Sequence, residues 1–181
     1  MIKRKLRRAL ARWDNDTRLW AHQTARDLVL VMVSGQPTPA TPYGIGVVLD
    51  PGEQVWVECP IRFLQEIVPS DRLTMPLVHP WLVTSDRIVG RLGDDQLYGW
   101  RWEGMRGCRI GTAPSAEFVA LDQYDGSRLD WSGPGIAPLA VAAVYRLHGR
   151  QALLQHPGLR AVRLQGHRMP ESRPTPMALP S

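Results

Sequence analysis

The sequence lacks the motifs that most often mark an enzyme. It contains no HExxH, no GxSxG and no P-loop motif, and its histidines share no spacing typical of metal ligands. The five histidines are His22, His79, His148, His156 and His167. These absences predict a protein that is not an enzyme and that holds neither a cofactor nor a metal.

Cysteines and long apolar runs are also scarce. The two cysteines, Cys59 and Cys108, lie far apart in strand-like apolar patterns, which predicts buried free thiols in a reducing cytoplasm. The longest apolar run, Leu28 to Val33, is far shorter than the roughly 20 residues of a membrane-spanning helix. No apolar segment of a secretory signal follows the basic N-terminus. We therefore expect a cytoplasmic protein, with peripheral contact to the inner membrane face as one alternative.

Lysine is nearly absent, because Lys3 and Lys5 stand against 20 arginines, and positive charge is concentrated at the two ends. Residues 1–13 contribute +6 without an acidic residue, residues 160–181 contribute +3, and residues 14–159 sum to −4. The basic character therefore belongs to the ends. This distribution argues against a general nucleic-acid surface on the body of the protein.

Residues 1–33 predict a basic amphipathic helical arm. One stripe repeats at steps of four and three residues and comprises Leu6, Leu10, Trp13, Thr17 and Trp20. Cap-forming residues from Asp14 to Thr17 predict two helical pieces, with a second start near Asp14 or Asp16. Residues 28–33 fit a strand or a buried helix end equally well. Residues 34–43 hold three prolines and predict a linker at a domain boundary.

Residues 44–160 read as short strands followed by one helix. Val55, Val57 and Cys59 alternate with Trp56 and Glu58, which predicts a half-buried strand that ends near Pro60. Further strands are predicted at 44–49, 62–67, 81–86, 87–92, 97–102, 108–110, 118–122 and 127–131. Turns are predicted at 50–53, 93–95 and 125–126.

The period changes to that of a helix at residue 136. Two adjacent rows form a wide apolar face, and they comprise Ile136, Ala140, Val144, Leu139, Ala143 and Leu147. Gly149 fits a helix C-terminus, and residues 151–155 predict a further helical turn. Residues 161–181 are rich in proline and poor in apolar side chains, which predicts a flexible tail.

Two segments resemble the pleckstrin-homology-like (PH-like) domains of bacteria, of which the GRAM domain is a variant. Leu49–Val57, LDPGEQVWV, is similar to their opening motif, and Trp81–Val89, WLVTSDRIV, is similar to their second hairpin. Tyr98–Ile110 and Phe118–Leu147 would supply the later strands and the closing helix. The resemblance implies an α+β, mainly β fold: a partly open barrel of about seven antiparallel strands, closed by a C-terminal helix and preceded by an N-terminal helical arm.

The resemblance also implies a domain division and a range of functions. The predicted units are an arm at 1–33, a linker at 34–43, a PH-like domain at 44–160 and a tail at 161–181. PH-like domains bind phosphoinositides or proteins, or have structural roles. In the eukaryotic domains of this type, the lipid site is a cluster of lysines and arginines in the first hairpin loop. The turn from Asp50 to Glu53, interpreted as that loop, is acidic, so this site is not transferred.

The candidate binding residues lie in the arm, where apolar side chains would enter a membrane interface and basic ones would meet head groups. This site comprises Lys3, Arg4, Lys5, Leu6, Arg7, Arg8, Leu10, Arg12 and Trp13. Contact with nucleic-acid phosphates and packing of the stripe on the β domain are the alternatives. Trp100 and Trp102 are expected on one strand face, either in the core or as an exposed pair that marks a partner surface.

Arginines punctuate the middle strands at positions 87, 91, 101, 106 and 109. We expect them to pair across strands with Asp86, Asp94, Asp95 and Glu103. The leading functional hypothesis is a non-enzymatic adaptor that contacts a protein partner or the inner membrane surface. The alternatives are a nucleic-acid-associated protein that uses its basic ends and an assembly protein that self-associates, for instance as a homodimer.

Overall fold

The computed structural model describes residues 2–35, 46–64, 79–91 and 96–164, and for residues 2–6, 62–64 and 79 it describes the backbone alone. The chain begins with a long helix, α1, at Ile2–Ser34. The strands that follow are β1 Val55–Leu64, β2 His79–Thr84, β3 Arg87–Arg91, β4 Leu97–Arg101, β5 Met105–Ala113, β6 Ala116–Gln123 and β7 Arg128–Ser132. The C-terminal helices are α2 Ala137–His148, α3 Ala152–Gln155 and α4 Arg160–Leu164.

The strands form antiparallel pairs in the order β4-β3-β2-β1-β7-β6-β5. β1 takes part in two sheets, since residues 55–61 pair with β2 and residues 62–64 pair with β7. Among the described residues β4 and β5 do not pair, so the sheets do not close into a barrel. The predicted α+β class, with antiparallel strands between N-terminal and C-terminal helices, is confirmed.

The prediction of a half-buried β1 is wrong, because residues 55–61 are all buried. A bulge between Val55 and Val57 interrupts the alternation. Trp56 and Val57 both join the main core, whereas Val55 joins a second cluster with Val47 and two β2–β3 residues. The predicted strand at 44–49 is also absent over residues 46–49, which have no regular secondary structure.

β1 also continues past the proline at which it was predicted to end. Pro60 lies opposite Pro80 in the β1–β2 pair, and the strand extends to Leu64. Because neither proline has an amide proton, the pair leaves no unmatched donor at this point.

α1 is one continuous helix, so the predicted break near Asp14 or Asp16 is wrong. Weak helix formers cost only a few tenths of a kcal/mol each, and burial of the following face outweighs that cost. The buried positions repeat with helical period and are Thr17, Ala21, His22, Ala25, Leu28 and Met32. Leu30 is 68% exposed although Leu28 and Met32, two positions away on each side, are buried, and a strand would place all three on one face. Residues 28–33 are therefore helix rather than strand.

The second half of α1 is an integral part of the core. It packs against α2, α4 and β1. Arg18 forms two hydrogen bonds, of 2.5 and 3.0 Å, to the Glu117 carboxylate on β6. Arg26 Nε donates to the carbonyl oxygen of Val162 on α4 at 2.8 Å. The core therefore extends across the predicted boundary at residue 34, while most of the predicted linker lies outside the described residues.

The predicted flexible tail begins too early. Residues 161–164 belong to α4, in which Val162 is 1% exposed and packs in the main core. The rest of that segment, 165–181, lies outside the described residues. Of the strand predicted at 62–67, residues 62–64 belong to β1, and residues 65–67 lie outside the described residues.

The docking of α1 makes stability depend on the protonation of His22. His22 is 2% exposed. Burial, and then the charges of Arg26 and Arg18, lower its pKa below the ordinary value of 6.5, although the backbone at Thr112 and Ala161 opposes this change. The unfolded chain therefore takes up the proton first. The stability that depends on neutral His22 is complete above pH 6.5 and is lost as the pH falls through the pKa of the folded protein.

We expect His22→Gln to reduce the loss of stability between about pH 7.5 and about pH 5, because the amide does not titrate. Urea unfolding of both proteins at the two pH values measures this slope. His156 and the carboxylates remain in both proteins, so they cancel in the comparison. Equal slopes would show that α1 docking does not depend on the charge of His22.

Candidate functional site

The N-terminal half of α1 carries the predicted binding residues and lies at the surface. Arg7, Arg8 and Arg12 are exposed, while Leu10 and Trp13 are half-buried. No residue from 7 to 16 is fully buried, in contrast to the face that begins at Thr17. Lys3, Arg4, Lys5 and Leu6 lie in the first turns of the helix, where only the backbone is described.

The buried half of α1 fixes the position of the residues that precede it in the helix. Two anchors to the body follow these residues in the helix: Thr17, which is fully buried, and Arg18, which pairs with Glu117. A helix rises 1.5 Å per residue, so residues 2–16 span about 22 Å on the N-terminal side of these anchors. We call residues 2–16 the basic segment. Its backbone continues that of a helix whose other half is buried in the core.

The basic residues at the start of the basic segment do not stabilise the helix. The N-terminus of a helix carries a partial positive charge, so basic residues in the first turns are unfavourable there. Lys3, Arg4 and Lys5 lie in those turns, and no acidic residue lies in the first turn. An anionic partner at this end would relieve the repulsion.

Trp100 and Trp102 do not share a face. β4 ends at Arg101, and a 3-10 turn at Trp102–Gly104 directs Trp102 inward. Trp102 is 3% exposed, and its indole Nε1 donates to the carbonyl oxygen of Thr84 at 3.0 Å. The exposed-pair alternative is therefore wrong, and the core alternative is confirmed for Trp102.

Trp100 packs against two buried tryptophans of the core. Its ring centroid lies 5.6 Å from that of Trp81 and 5.7 Å from that of Trp131. Tyr98 stacks on it at 6.3 Å with an interplanar angle of 21°. Trp100 is half-buried, so it lines the core rather than forming an exposed platform.

The acidic turn before β1 is bound by arginines of the β3–β4 hairpin. Arg87 forms two bonds of 2.9 Å to Glu53, whose side chain is fully buried. Thr84 Oγ1 donates to the same carboxylate at 2.6 Å, and the Asp50 amide donates at 2.8 Å. Arg101 pairs with Asp50 at 2.5 Å.

These pairs correct two sequence predictions. Arg87 and Arg101 bond to the turn at 50–53 rather than to Asp86 or Glu103, and positions 94 and 95 lie outside the described residues. The turn at 50–53 also does not join two strands, because residues 46–50 are not a strand. The segment that links the first paired strands in sequence, 65–78, lies outside the described residues and contains one basic residue, Arg72, against Glu66 and Asp71.

The structure brings together three residues that the sequence analysis did not connect. Cys108 lies on β5, His148 ends α2, and His156 precedes a 3-10 turn at Pro157–Leu159. Their potential ligand atoms lie within 4.8 Å of one another, and Cys108 Sγ is 3.5 Å from His148 Nε2. The two imidazoles stack at 6.0 Å. Their separation along the chain follows no known motif, so no local pattern could have revealed them.

The thiol in this cluster is not an activated nucleophile. Burial, and to a lesser extent the charge of Asp122, raises the pKa of Cys108 to about 11. Burial, followed by the charges of His148 and Arg163, lowers the pKa of His156. At neutral pH the thiol is protonated, which argues against cysteine-based catalysis. Cys108 is half-buried, whereas Cys59 is fully buried as predicted.

A groove lies between β5 and the last two helical segments. Its volume is about 570 Å³, and its lining is mostly apolar. It includes Ile110, Ala113, Pro157, Ala161 and Leu164. His156 also lines this groove and connects it to the Cys108 cluster.

Comparison with known proteins does not assign this chain to a family. No protein-family model matches it, and no curated protein matches it. Among the described helices, none combines the length and apolar character that crossing a membrane requires. The class that the structure defines is an α+β domain with antiparallel sheets and a long, partly docked N-terminal helix.

Proposed function

We propose that this protein is a non-enzymatic binding module with a PH-like body, and that its basic segment attaches it to an anionic membrane surface. One observation carries the proposal. Six basic residues lie between residues 2 and 16 of α1, and among the described side chains of that helix the first buried one is Thr17. The rest of the same helix is locked into the core, so binding at the segment positions the whole body.

Two features of the body support a PH-like architecture. Seven short antiparallel strands in the described residues are followed by an apolar helix. That helix, α2, is buried from Ala137 to Val144 and packs on β1, β5 and β6. The number of strands and the apolar helix after them support the partly open barrel, closed by a C-terminal helix, that the sequence resemblance implies.

The composition of the basic segment favours a lipid surface over nucleic acid. Leu10 and Trp13 retain partial exposure between the exposed arginines. Transfer of tryptophan and leucine side chains into the interface of a bilayer is favourable. Binding to a phosphate backbone does not require these side chains. Each basic residue close to an anionic membrane adds roughly 1 kcal/mol, so six of them make a substantial attraction at low salt.

The test is sedimentation of the full chain with vesicles of phosphatidylcholine alone or of phosphatidylcholine mixed with phosphatidylserine. We expect binding to the anionic vesicles only, and weakening as added salt screens the charges. Reversing three exposed charges, Arg7→Glu, Arg8→Glu and Arg12→Glu together, should reduce binding at least about tenfold. The matched control reverses three exposed arginines elsewhere, Arg106, Arg146 and Arg150, and should retain binding.

Three outcomes would contradict the proposal. Failure of the wild-type chain to bind anionic vesicles would remove the membrane function. An equal loss in both triple variants would show a dependence on net charge rather than on the basic segment. Binding to duplex DNA or RNA in its place, lost in the Arg7, Arg8 and Arg12 variant, would favour the nucleic-acid alternative. Light scattering of the same samples tests self-association.

A further inference from the structure

We propose that Cys108, His148 and His156 form a binding site for a divalent transition-metal ion of the zinc type. The proposal is independent of the membrane function. Thiolate and imidazole are the ligands that zinc prefers, and a set of three leaves the fourth tetrahedral position open to solvent or to a further ligand.

The separations between the side chains fit such an ion. Zinc–sulfur bonds of about 2.3 Å and zinc–nitrogen bonds of about 2.0 Å place tetrahedral sulfur and nitrogen ligands roughly 3.6 Å apart. Cys108 Sγ and His148 Nε2 are already 3.5 Å apart. All the candidate ligand atoms lie within 4.8 Å of one another, so a modest rotation of one side chain completes the set. A Cys108–His148 hydrogen bond alone would not account for the approach of His156 from a separate segment.

The backbone holds each ligand in place. Cys108 lies opposite Leu121 within the β5–β6 pair. His148 is the last residue of α2, and the Gly149 amide closes that helix by donating to the Tyr145 carbonyl. The His156 amide donates to the Ala152 carbonyl at 2.8 Å, and the His156 carbonyl accepts from Arg163 at 3.1 Å.

Binding changes one hydrogen bond and one protonation state. His156 Nδ1 accepts a hydrogen bond of 3.2 Å from the Gly158 amide. His156 gives up this bond when its ring turns to present a nitrogen to the ion. A neutral hydrogen bond is weak beside a metal–nitrogen bond. At Cys108 the S–H bond breaks, the sulfur–metal bond forms with the thiol electron pair, and the proton passes to solvent. No oxidant or reductant is required.

The proposal predicts saturable binding of one ion per chain to tag-free, full-length protein that has been stripped with a chelator. Co²⁺ serves as the spectroscopic probe, because thiolate ligation gives a charge-transfer band that histidine ligation alone does not. Zn²⁺ should displace Co²⁺ and abolish the band. Bound Zn²⁺ should also raise the melting temperature, since it binds the folded state.

Variants assign the ligands. Cys108→Ser should abolish the charge-transfer band, and His148→Gln and His156→Gln should each weaken binding at least about tenfold, the lower limit observed even for outer-shell partners. Cys59→Ala is the matched thiol control and should retain the band, because Cys59 is buried in β1. Thermal unfolding of each metal-free variant establishes that it folds.

Any of three results would overturn the proposal: no saturable binding by the wild-type chain, a Co²⁺ complex without the thiolate band, or a band that persists in Cys108→Ser. The first two results come from the wild-type protein alone. They therefore decide the question even if a variant fails to fold.

Discussion

Replacing Arg87 with methionine is expected to lower the free energy of unfolding by about 3–5 kcal/mol, because a buried carboxylate would lose its cationic partner. The side chain of Glu53 is fully shielded from solvent, while that of Arg87 is 18% exposed. The guanidinium also donates to the carbonyl oxygen of Val48 at 2.8 Å. Arg87 thus ties the segment before β1 to the start of β3. Urea unfolding at neutral pH measures the effect.

The matched control is Arg101→Met. Its ion pair with Asp50 is short, but the two side chains are 55% and 41% exposed. Exposed ion pairs contribute at most about 1 kcal/mol, so this variant should lose little stability. If the two variants lost equal stability, burial would not be the reason for the importance of Arg87.

The effect of Arg87→Met should also depend on pH. Burial by itself would raise the pKa of Glu53, but hydrogen bonds from Arg87, Thr84 and the Asp50 amide outweigh it and hold the pKa below 4.5. The stabilising contribution is present above pH 4.5 and is lost as the pH falls through the pKa of the folded protein. The difference between wild type and variant should therefore narrow in acid.

A double variant separates charge from packing. Glu53→Gln removes the charge and keeps one carbonyl oxygen, which can accept from Thr84 or from the Asp50 amide but not from both, because these donors bind different oxygens of the carboxylate. We expect Arg87→Met with Glu53→Gln to be more stable than Arg87→Met alone. If the double variant were no more stable, the loss would arise from the packing of the arginine stem instead.

Replacing Trp81 with alanine is expected to cost about 3–5 kcal/mol, since it removes the largest fully buried side chain of the β2–β3 hairpin. Trp81 is 0% exposed and contacts Trp131, with 6.1 Å between ring centroids, as well as Trp100. The substitution would leave a cavity between the two sheets. The neighbouring rings could fill this cavity only if their strands moved. Thermal or chemical unfolding measures the loss, and Tyr124→Ala, at a 70% exposed aromatic residue, is the control with little expected effect.

A second variant tests whether the Trp81 ring is the reason why the residue opposite it is glycine. Gly90 pairs with Trp81 across β2 and β3, and a Cβ at Gly90 would lie 2.5 Å from the indole Cε3. Gly90→Ala should therefore destabilise the wild type by about 1–3 kcal/mol but have much less effect in a Trp81→Leu background. If Gly90→Ala cost the same stability in both backgrounds, the ring would not be the reason for the glycine.

Local patterns predicted the elements whose geometry depends on near neighbours. Alternation predicted strands at 81–86 and 87–92, and the structure has β2 at His79–Thr84 and β3 at Arg87–Arg91. Asp125-Gly126 predicted a hairpin, in which Gly126 has a φ of +88° and the Asp125 carboxylate accepts from the Ser127 amide. The two apolar rows from Ile136 predicted α2 within one residue at each end.

Local patterns failed where a partner distant in sequence decides the outcome. The cap-forming residues near Asp16 predicted a helix start, but tertiary burial of Thr17 and the positions after it keeps α1 continuous. Alternation in β1 predicted one exposed face, but a bulge and two core clusters bury both. Residues 161–164 were predicted to belong to the flexible tail, but Val162 packs in the main core.

The sequence by itself determined the separation of charge between the ends and the body, the helical stripe of α1 and most of the strands and helices after it. These properties depend on composition and on the period of neighbouring side chains, which repeat within a few residues. Only the tertiary structure decided which groups meet: Arg18 with Glu117, 99 residues apart, and Cys108 with His148, 40 residues apart. Such contacts arise from the way the sheets and helices pack, and no short-range pattern encodes that packing.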